Sequence, residues 1–277
     1  MKTQPVTVAQ ALDDARAARI DRLDAQRLLA HVLSRPRSWL FAHPDAPLDP
    51  TLADVVQAAW VRLGDGEPLP YVLGEQGFHG LTLTVNRDVL IPRSDTEVLV
   101  DWALELLGRA PEGRTPEVAD LGTGSGAIAL AIGHGCPRAH VLATDVSEAA
   151  LRVARANAAR VGLAIDTLAS AWWSGLGARH FDLVVSNPPY IAPDDPHLPA
   201  LRHEPLLALT AVEQGLGDLR QIVRGAPAHL AAGGWLLLEH GPDQARAVAV
   251  LLRDNGFEAI ETRTDAAGRP RCTGARR

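Results

Sequence analysis

A short apolar run that breaks into alternating glycines and then restarts with helical character leaves few folds open. Residues 118–130 read that way: Val118-Ala119-Asp120-Leu121 leads into Gly122-Thr123-Gly124-Ser125-Gly126, and Ala127-Ile128-Ala129-Leu130 follows. This is the strand, glycine-rich turn and helix that a nucleotide-binding loop requires, because glycines let the backbone turn sharply and approach a ligand closely. The next apolar run, His140-Val141-Leu142-Ala143-Thr144-Asp145, ends in an acid about 20 residues beyond the loop, where a ribose hydroxyl pair finds its acceptor. Asp145 is therefore the expected ribose ligand. Its competing structural role, capping the helix that starts near Glu148, can fall to Ser147 instead.

Downstream the chain alternates strand-like and helix-like stretches, the pattern of a doubly wound, Rossmann-like α/β sheet. Helices are expected over residues 147–161, 216–230 and 244–255. Strands are expected over 164–169, 181–186, 234–239 and, as the last element, 257–262. Upstream, apolar positions recur at helical spacing from Val8 to about Leu63, with breaks at Ser34-Arg35-Pro36 and at His43-Pro44-Asp45-Ala46-Pro47. Gly64-Asp65-Gly66-Glu67-Pro68-Leu69-Pro70 ends the helices, so residues 1–72 are expected to form a small helical domain for substrate recognition. Residues 73–93 read as a β-hairpin connector, its strands carried by the alternating run 78–85 and by Val89-Leu90-Ile91. Residues 94–277 form the α/β domain, opening on a helix over 98–107 that Ser94 or Asp95 is placed to cap.

The chemistry is written at the end of the expected strand 181–186, in Asn187-Pro188-Pro189-Tyr190. Pro188 and Pro189 fix φ and lack N–H groups, and Pro188 pushes Asn187 out of the helical region. The chain there can neither extend the strand nor start a helix. The stiff turn leaves its carbonyls free to accept hydrogen bonds, and the Asn187 side chain adds an acceptor and two donors. Tyr190 contributes a flat apolar face with a polar tip. Such a group of atoms holds a planar nitrogen for methyl transfer, whether the amide of glutamine or the amino group of adenine or cytosine. Taken alone, Asn-Pro-Pro is an ordinary turn. The glycine loop upstream gives it meaning: Asp120 would repel a dinucleotide pyrophosphate but attract the cationic methionine end of S-adenosyl-L-methionine. An N-methyltransferase using that cofactor is the expected class, with both motifs at the carboxyl ends of parallel strands, where open α/β sheets bind ligands.

Lys and Arg number 27 against 33 Asp and Glu, a net charge of −6, so the chain as a whole has no attraction for bare nucleic acid. Arg269-Pro270-Arg271 and Arg276-Arg277 read as solvated surface. No run approaches a membrane span, and Met1-Lys2-Thr3-Gln4-Pro5 lacks a basic start followed by an apolar core. Cys136 and Cys272 lie far apart, and the ten histidines show no metal-ligand spacing, so free thiols and no metal are expected. A cytoplasmic enzyme with no membrane or direct nucleic-acid partner is the reading.

Several segments together resemble one family. Gly74-Glu75 with Phe78 and Gly80, the segment Leu90-Ile91-Pro92-Arg93-Ser94-Asp95-Thr96-Glu97, the glycine loop, Ser186-Asn187-Pro188-Pro189-Tyr190-Ile191 and His203-Glu204-Pro205 are similar to the peptide chain release factor glutamine N5-methyltransferases. The glycine loop and the tetrad are shared with many methyltransferases, whereas the segment at Arg93 and the late His-Glu-Pro are more specific. The resemblance implies a class I methyltransferase fold. It also implies methyl transfer from S-adenosylmethionine to the side-chain amide nitrogen of the glutamine in the Gly-Gly-Gln motif of release factors. Carried over by residue, it implies that Gly122, Thr123, Gly124, Ser125, Gly126, Asp145, Trp172 and Asn187 line the cofactor site. Asn187, Pro188, Pro189 and Tyr190 would grip the target glutamine. The chain departs from the family's usual wording at Ser94, where proline is common, at Ala171, where aspartate commonly precedes the tryptophan, and at Ala211-Val212, where two glycines are common. Two other acceptors share the chemistry. A nucleic-acid adenine would need base extrusion and a basic surface, and a ribosomal-protein glutamine is disfavoured by Asp95-Thr96-Glu97.

Overall fold

The computed structural model describes residues 5–111 and 113–277, which divide into two compact units after Glu75. The segment Met1-Lys2-Thr3-Gln4, on which the reading of the amino terminus rests, lies outside the described residues.

The first unit is helical: α1 (Val8–Ala17), α2 (Arg22–Val32), α3 (Arg37–Ala42), α4 (Pro50–Gly64) and α5 (Leu69–Leu73) enclose Val8, Ala15, Leu28, Leu29, Leu40, Val56 and Trp60. Its helix starts follow from the sequence. Thr7 and Gln10 form a reciprocal capping box, and Asp21 and Asp49 accept the first backbone N–H groups of α2 and α4. The proline-rich stretch expected only to end the helices also begins α5, because Pro70 sits in its first turn, where a missing N–H costs nothing. Gly74, left-handed at φ +76°, ends that turn. Arg62 forks onto the buried Glu67 at 2.8 and 2.9 Å and donates to the Tyr71 carbonyl at 2.9 Å, tying α5 to α4.

A hairpin follows, β1 (Glu75–Phe78) and β2 (Leu81–Thr84). It is tighter than expected. His79 and Gly80 both take positive φ, 46° and 79°, the two-residue turn whose twist matches paired strands. Val89-Leu90-Ile91 forms no strand, because the Ile91 N–H is committed to the Glu204 carboxylate at 3.1 Å.

The α/β unit runs α6 (Glu97–Gly108), β3 (Glu117–Leu121), α7 (Ala127–Gly135), β4 (His140–Asp145), α8 (Glu148–Val161), β5 (Asp166–Ala169), β6 (Phe181–Ser186), α9 (Val212–Gly215), α10 (Gly217–His229), β7 (Leu230–Glu239), α11 (Ala245–Asp254), β8 (Glu258–Thr264) and β9 (Pro270–Arg276). Among the described residues the main sheet has seven strands, in the order β5-β4-β3-β6-β7-β9-β8. Strands β3 to β7 are parallel and β9 is antiparallel to both neighbours. Strand alternation divides the core between the two faces. Val118, Val141, Leu183 and Leu237 pack with Leu99, Trp102 and Ile128 of α6 and α7, while Ala119, Leu142, Val184 and Leu236 pack with Leu219, Ile222 and Val248 of α10 and α11. The doubly wound fold is as expected.

The carboxyl terminus corrects the sequence reading. Residues 257–262 do not form the last strand, because β9 inserts between β7 and β8. Its sequence, Pro-Arg-Cys-Thr-Gly-Ala-Arg, lacks apolar alternation, yet Gly274 has no room for a Cβ against Leu237 and Trp102. Arg271 is 6% exposed rather than solvated, bonding Asp265 at 3.2 Å and pairing with Asp95 at 2.9 Å. Burial works against the Asp265 charge, but the Arg269 N–H and the Arg271 and Arg269 guanidiniums hold its pKa down to about 2. Asp95, engaged in this cluster, is no helix cap; α6 starts from a 3₁₀ turn over Ser94–Thr96 without a side-chain cap. Cys136 and Cys272 are buried free thiols. No helix among the described residues is long and apolar enough to cross a membrane.

Candidate active site

The sheet order reverses at β3. From there the chain builds outward through β4 to β5, then returns to place β6 on the other side of β3 and β7 beyond it. Such a switch opens a crevice at the carboxyl ends of the two central strands. The Ser186 hydroxyl donates to the Leu121 carbonyl at 2.6 Å and ties those ends together. Above them lies a cavity of about 250 Å³, lined by Gly122, Thr123, Gly124, Ser125, Asp145, Trp172, Asn187 and Pro189 among others.

Gly122, Gly124 and Gly126 all take positive φ, at 74°, 55° and 82°. A Cβ on Gly122 would meet the Trp172 ring at 3.3 Å, and one on Gly126 would meet Ala154 at 3.2 Å. The first glycine therefore lets an aromatic ring lie on the loop. The third lets α7 approach α8 and does not line the cavity. Asp145 accepts the Gly124 N–H at 2.9 Å on one oxygen and the Ser147 N–H at 2.8 Å on the other. Ser147, not Asp145, caps α8 through Ala150. Burial raises the pKa of Asp145 and the backbone bonds oppose it.

Asp120 differs from the expectation of a charge facing the cofactor. It is buried beneath the loop and absent from the lining: one oxygen accepts the Thr123 hydroxyl at 2.6 Å and the Ala129 N–H at 3.2 Å, while the other has no hydrogen-bond partner. Burial pushes its pKa up to about 7. Its first role is to pin the glycine loop to α7. The expected methyl donor is fitted instead by residues that line the cavity, the Gly124 backbone and the Asp145 carboxylate beside the Trp172 ring. Trp172, held at φ +51°, lines the cavity together with Ala171 and Asp218. Burial raises the Asp218 pKa, and a hydrogen bond to the Trp172 side chain opposes that rise. The carboxylate beside the tryptophan thus comes from α10, where Ala171 supplies none.

In the tetrad, the Asn187 Nδ2 donates to the Thr96 hydroxyl at 3.3 Å. Pro189 lines the cavity; Pro188 and Tyr190 do not. The Tyr190 ring packs onto the core beneath α10 and α11, its hydroxyl donates to Glu239 at 3.2 Å, and its carbonyl accepts from the Gln244 amide at 3.0 Å. Burial, with Glu239 beside it, pushes the Tyr190 pKa up. The aromatic face expected to sandwich the substrate is occupied in anchoring the turn. Sequence reasoning used Thr96 only as part of the Asp95-Thr96-Glu97 segment and assigned nothing to Asp218 or Glu239. Only Glu239 left a usable signal, being an acid at a strand's carboxyl end as Asp145 is.

A mostly parallel sheet of this order, with a glycine loop and an acid at the ends of adjacent strands and an Asn-Pro-Pro-Tyr turn at the switch point, defines a class I, Rossmann-like methyltransferase. The family described as "Methyltransferase small domain" matches residues 97–203, and that described as "PrmC N-terminal domain" matches residues 7–74. The release factor glutamine methyltransferase of Bordetella pertussis is 48% identical over 263 residues, 92% of this chain and 94% of that protein. The one from Xylella fastidiosa is 48% identical over 266 residues, 95% of this chain and 96% of that protein. Among solved structures, the ribosomal protein L11 methylase of Lactobacillus delbrueckii shares the fold at a TM-score of 0.51 and 24% identity, covering 69% of this chain and 82% of that one. The chain belongs to the release factor glutamine methyltransferase family.

Proposed function

We propose that this chain transfers a methyl group from S-adenosylmethionine to the side-chain amide nitrogen of the glutamine in the Gly-Gly-Gln motif of peptide chain release factors, in the cytoplasm. The observation that carries the reading is that Asn187 shares one cavity with Gly122, Gly124 and Asp145, in a chain of this family. The loop residues Gly122, Thr123, Gly124 and Ser125, with Asp145 toward the ribose and Trp172 against the loop, would hold the cofactor; Gly126 supports them by packing. When bound, S-adenosylmethionine supplies an electrophilic methyl group on a cationic sulfur.

An amide nitrogen is a poor nucleophile because its lone pair is delocalised into the carbonyl, so the protein must orient it. The Asn187 Oδ1 accepts one of its N–H bonds, with Pro189 as a rigid wall; Pro188, outside the cavity lining, serves by fixing the backbone of the turn rather than by the substrate contact expected of it. Held this way, the nitrogen keeps its position in the cavity, and the acceptor favours the positive charge that develops on it. Tyr190 keeps the turn in place. The helical unit selects the release factor, and the net charge of −6 supports a protein acceptor over nucleic acid. Incubating the protein with methyl-labelled S-adenosylmethionine and, in parallel, release factor, ribosomal protein and DNA tests the reading. Label on the release factor is the expected result, and label on DNA alone refutes it.

A further inference from the structure

Two consecutive tryptophans, each seated on a glycine, join the cofactor loop to α10. The Trp172 ring lies over Gly122, where a Cβ would stand 3.3 Å from it, and the Trp173 ring lies over Gly225, where a Cβ would fall 2.1 Å away. The second seat is much the tighter. There the indole Nε1 of Trp173 donates to the Ile222 carbonyl at 3.1 Å, and the His229 ring stacks on it with centroids 5.0 Å apart and planes within 1°. Gly225, Ile222 and His229 all belong to α10, so that helix holds the Trp173 side chain from three positions. Trp172, by contrast, sits at φ +51°, a conformation that an aromatic residue keeps only where its surroundings over-determine it. One restraint is Ser170: its hydroxyl donates to the Trp172 carbonyl at 2.9 Å and accepts the Gly175 N–H at 2.9 Å, while its own N–H donates to the Asp145 carbonyl at 2.9 Å. The other restraint is the neighbouring tryptophan.

We propose that Trp173 is a positioning residue: seated on Gly225, it fixes the backbone of Trp172 and thereby the ring that walls the cofactor site. The same helix lends Asp218 to the cavity, so α10 sets two of its lining residues. The inference rests on the cofactor contact given to Trp172 above.

Gly225→Ala tests it without weakening the helix itself, because alanine is the better residue in a helix interior. The added Cβ drives the Trp173 ring from its seat. The Kd for S-adenosylmethionine by calorimetry is expected to rise about 10-fold, the size of one lost aromatic contact. A packing defect alone would lower the melting temperature and leave the site as it was, so fluorine NMR of protein labelled with fluorotryptophan supplies the separating readout. The Trp172 resonance, assigned by its loss in Trp172→Phe, should move in Gly225→Ala before any cofactor is added, while that of Trp60, in the core of the helical unit, should stay in place. Trp173→Leu, which removes the ring and its bond to Ile222, should weaken binding to the same degree, and Trp173→Phe, which keeps a ring on Gly225, should restore most of the affinity. In a folded Gly225→Ala, a wild-type Kd and an unmoved Trp172 resonance, beside weakened binding in Trp172→Ala, overturn the proposal and leave the role of Trp172 standing. Should Gly225→Ala fail to fold, a wild-type Kd in Trp173→Leu overturns it. Wild-type affinity in Trp172→Ala removes the cofactor contact beneath it.

Discussion

Glu204 joins two segments distant in the chain: its carboxylate pairs with the Arg93 guanidinium and accepts the Ile91 N–H at 3.1 Å. Both segments border the cavity, Pro92 and Arg93 on one side and Pro205, Leu207 and Ala208 on the other. Glu204 is buried, but Arg93 is partly open to solvent, so the ion pair itself contributes modestly and the Ile91 bond matters as much. Glu204→Ala is expected to destabilise the protein by about 1–3 kcal/mol in urea unfolding, the cost of an unsatisfied buried partner. It should raise the KM for release factor more than the Kd for cofactor. Glu204→Gln, which keeps an acceptor for Ile91, should fall between.

Gly122→Ala is expected to weaken cofactor binding more than it weakens the fold. The substitution places a Cβ 3.3 Å from the Trp172 ring and holds alanine at φ +74°, a backbone cost of about 1–2 kcal/mol. Calorimetry with S-adenosylmethionine, set beside the melting temperature, separates the two effects.

Asp145→Ala should reduce cofactor affinity roughly 10- to 100-fold, the range for a hydrogen bond to a charged group. Because Ser147 supplies the cap of α8, the melting temperature should change little. A large loss of stability with unchanged affinity would show that Asp145 serves only the turn that it bonds at Gly124 and Ser147.

Burial pushes both Asp120 and Glu239 up to about 7. Their ordinary values are 3.8 and 4.5, so between those values and about 7 the native state binds more protons than the unfolded chain. Their contribution to stability is therefore greatest at low pH and declines as pH rises to about 7. His240, whose pKa burial lowers from 6.5, acts in the opposite sense and softens the decline. Glu239→Gln is expected to remove a share of the slope on the order of 3 kcal/mol. Urea midpoints measured across this window in both proteins provide the check.

The sheet was legible because its parallel strands are apolar runs and its loops carry turn chemistry; the cavity-lining residues Gly122, Thr123, Gly124, Ser125, Asp145 and Asn187 all lie at strand ends that the sequence marks. Strand β9 was not, since a strand of Pro, Arg, Cys, Thr and Gly is defined by its partners β7 and β8 rather than by its own pattern. Arg271 was misread for the same reason, its partners Asp95 and Asp265 being brought to it by the tertiary fold. The hairpin was displaced because the left-handed pair at His79 and Gly80 outweighs the alternation that continues past it. Thr96 carries no local signature, and although Glu239 ends its strand in an acid as Asp145 does, only the return of β7 beside β6 brings it under the tetrad.

Peptide mass spectrometry of a release factor incubated with S-adenosylmethionine and either the native protein or Asn187→Ala tests the central claim most directly. A methyl group on the side-chain nitrogen of the Gly-Gly-Gln glutamine is expected with the native protein, and at least about 10²-fold less of it with Asn187→Ala under equal cofactor saturation. An unmodified glutamine with the native protein, or equal methylation by the two, would contradict it.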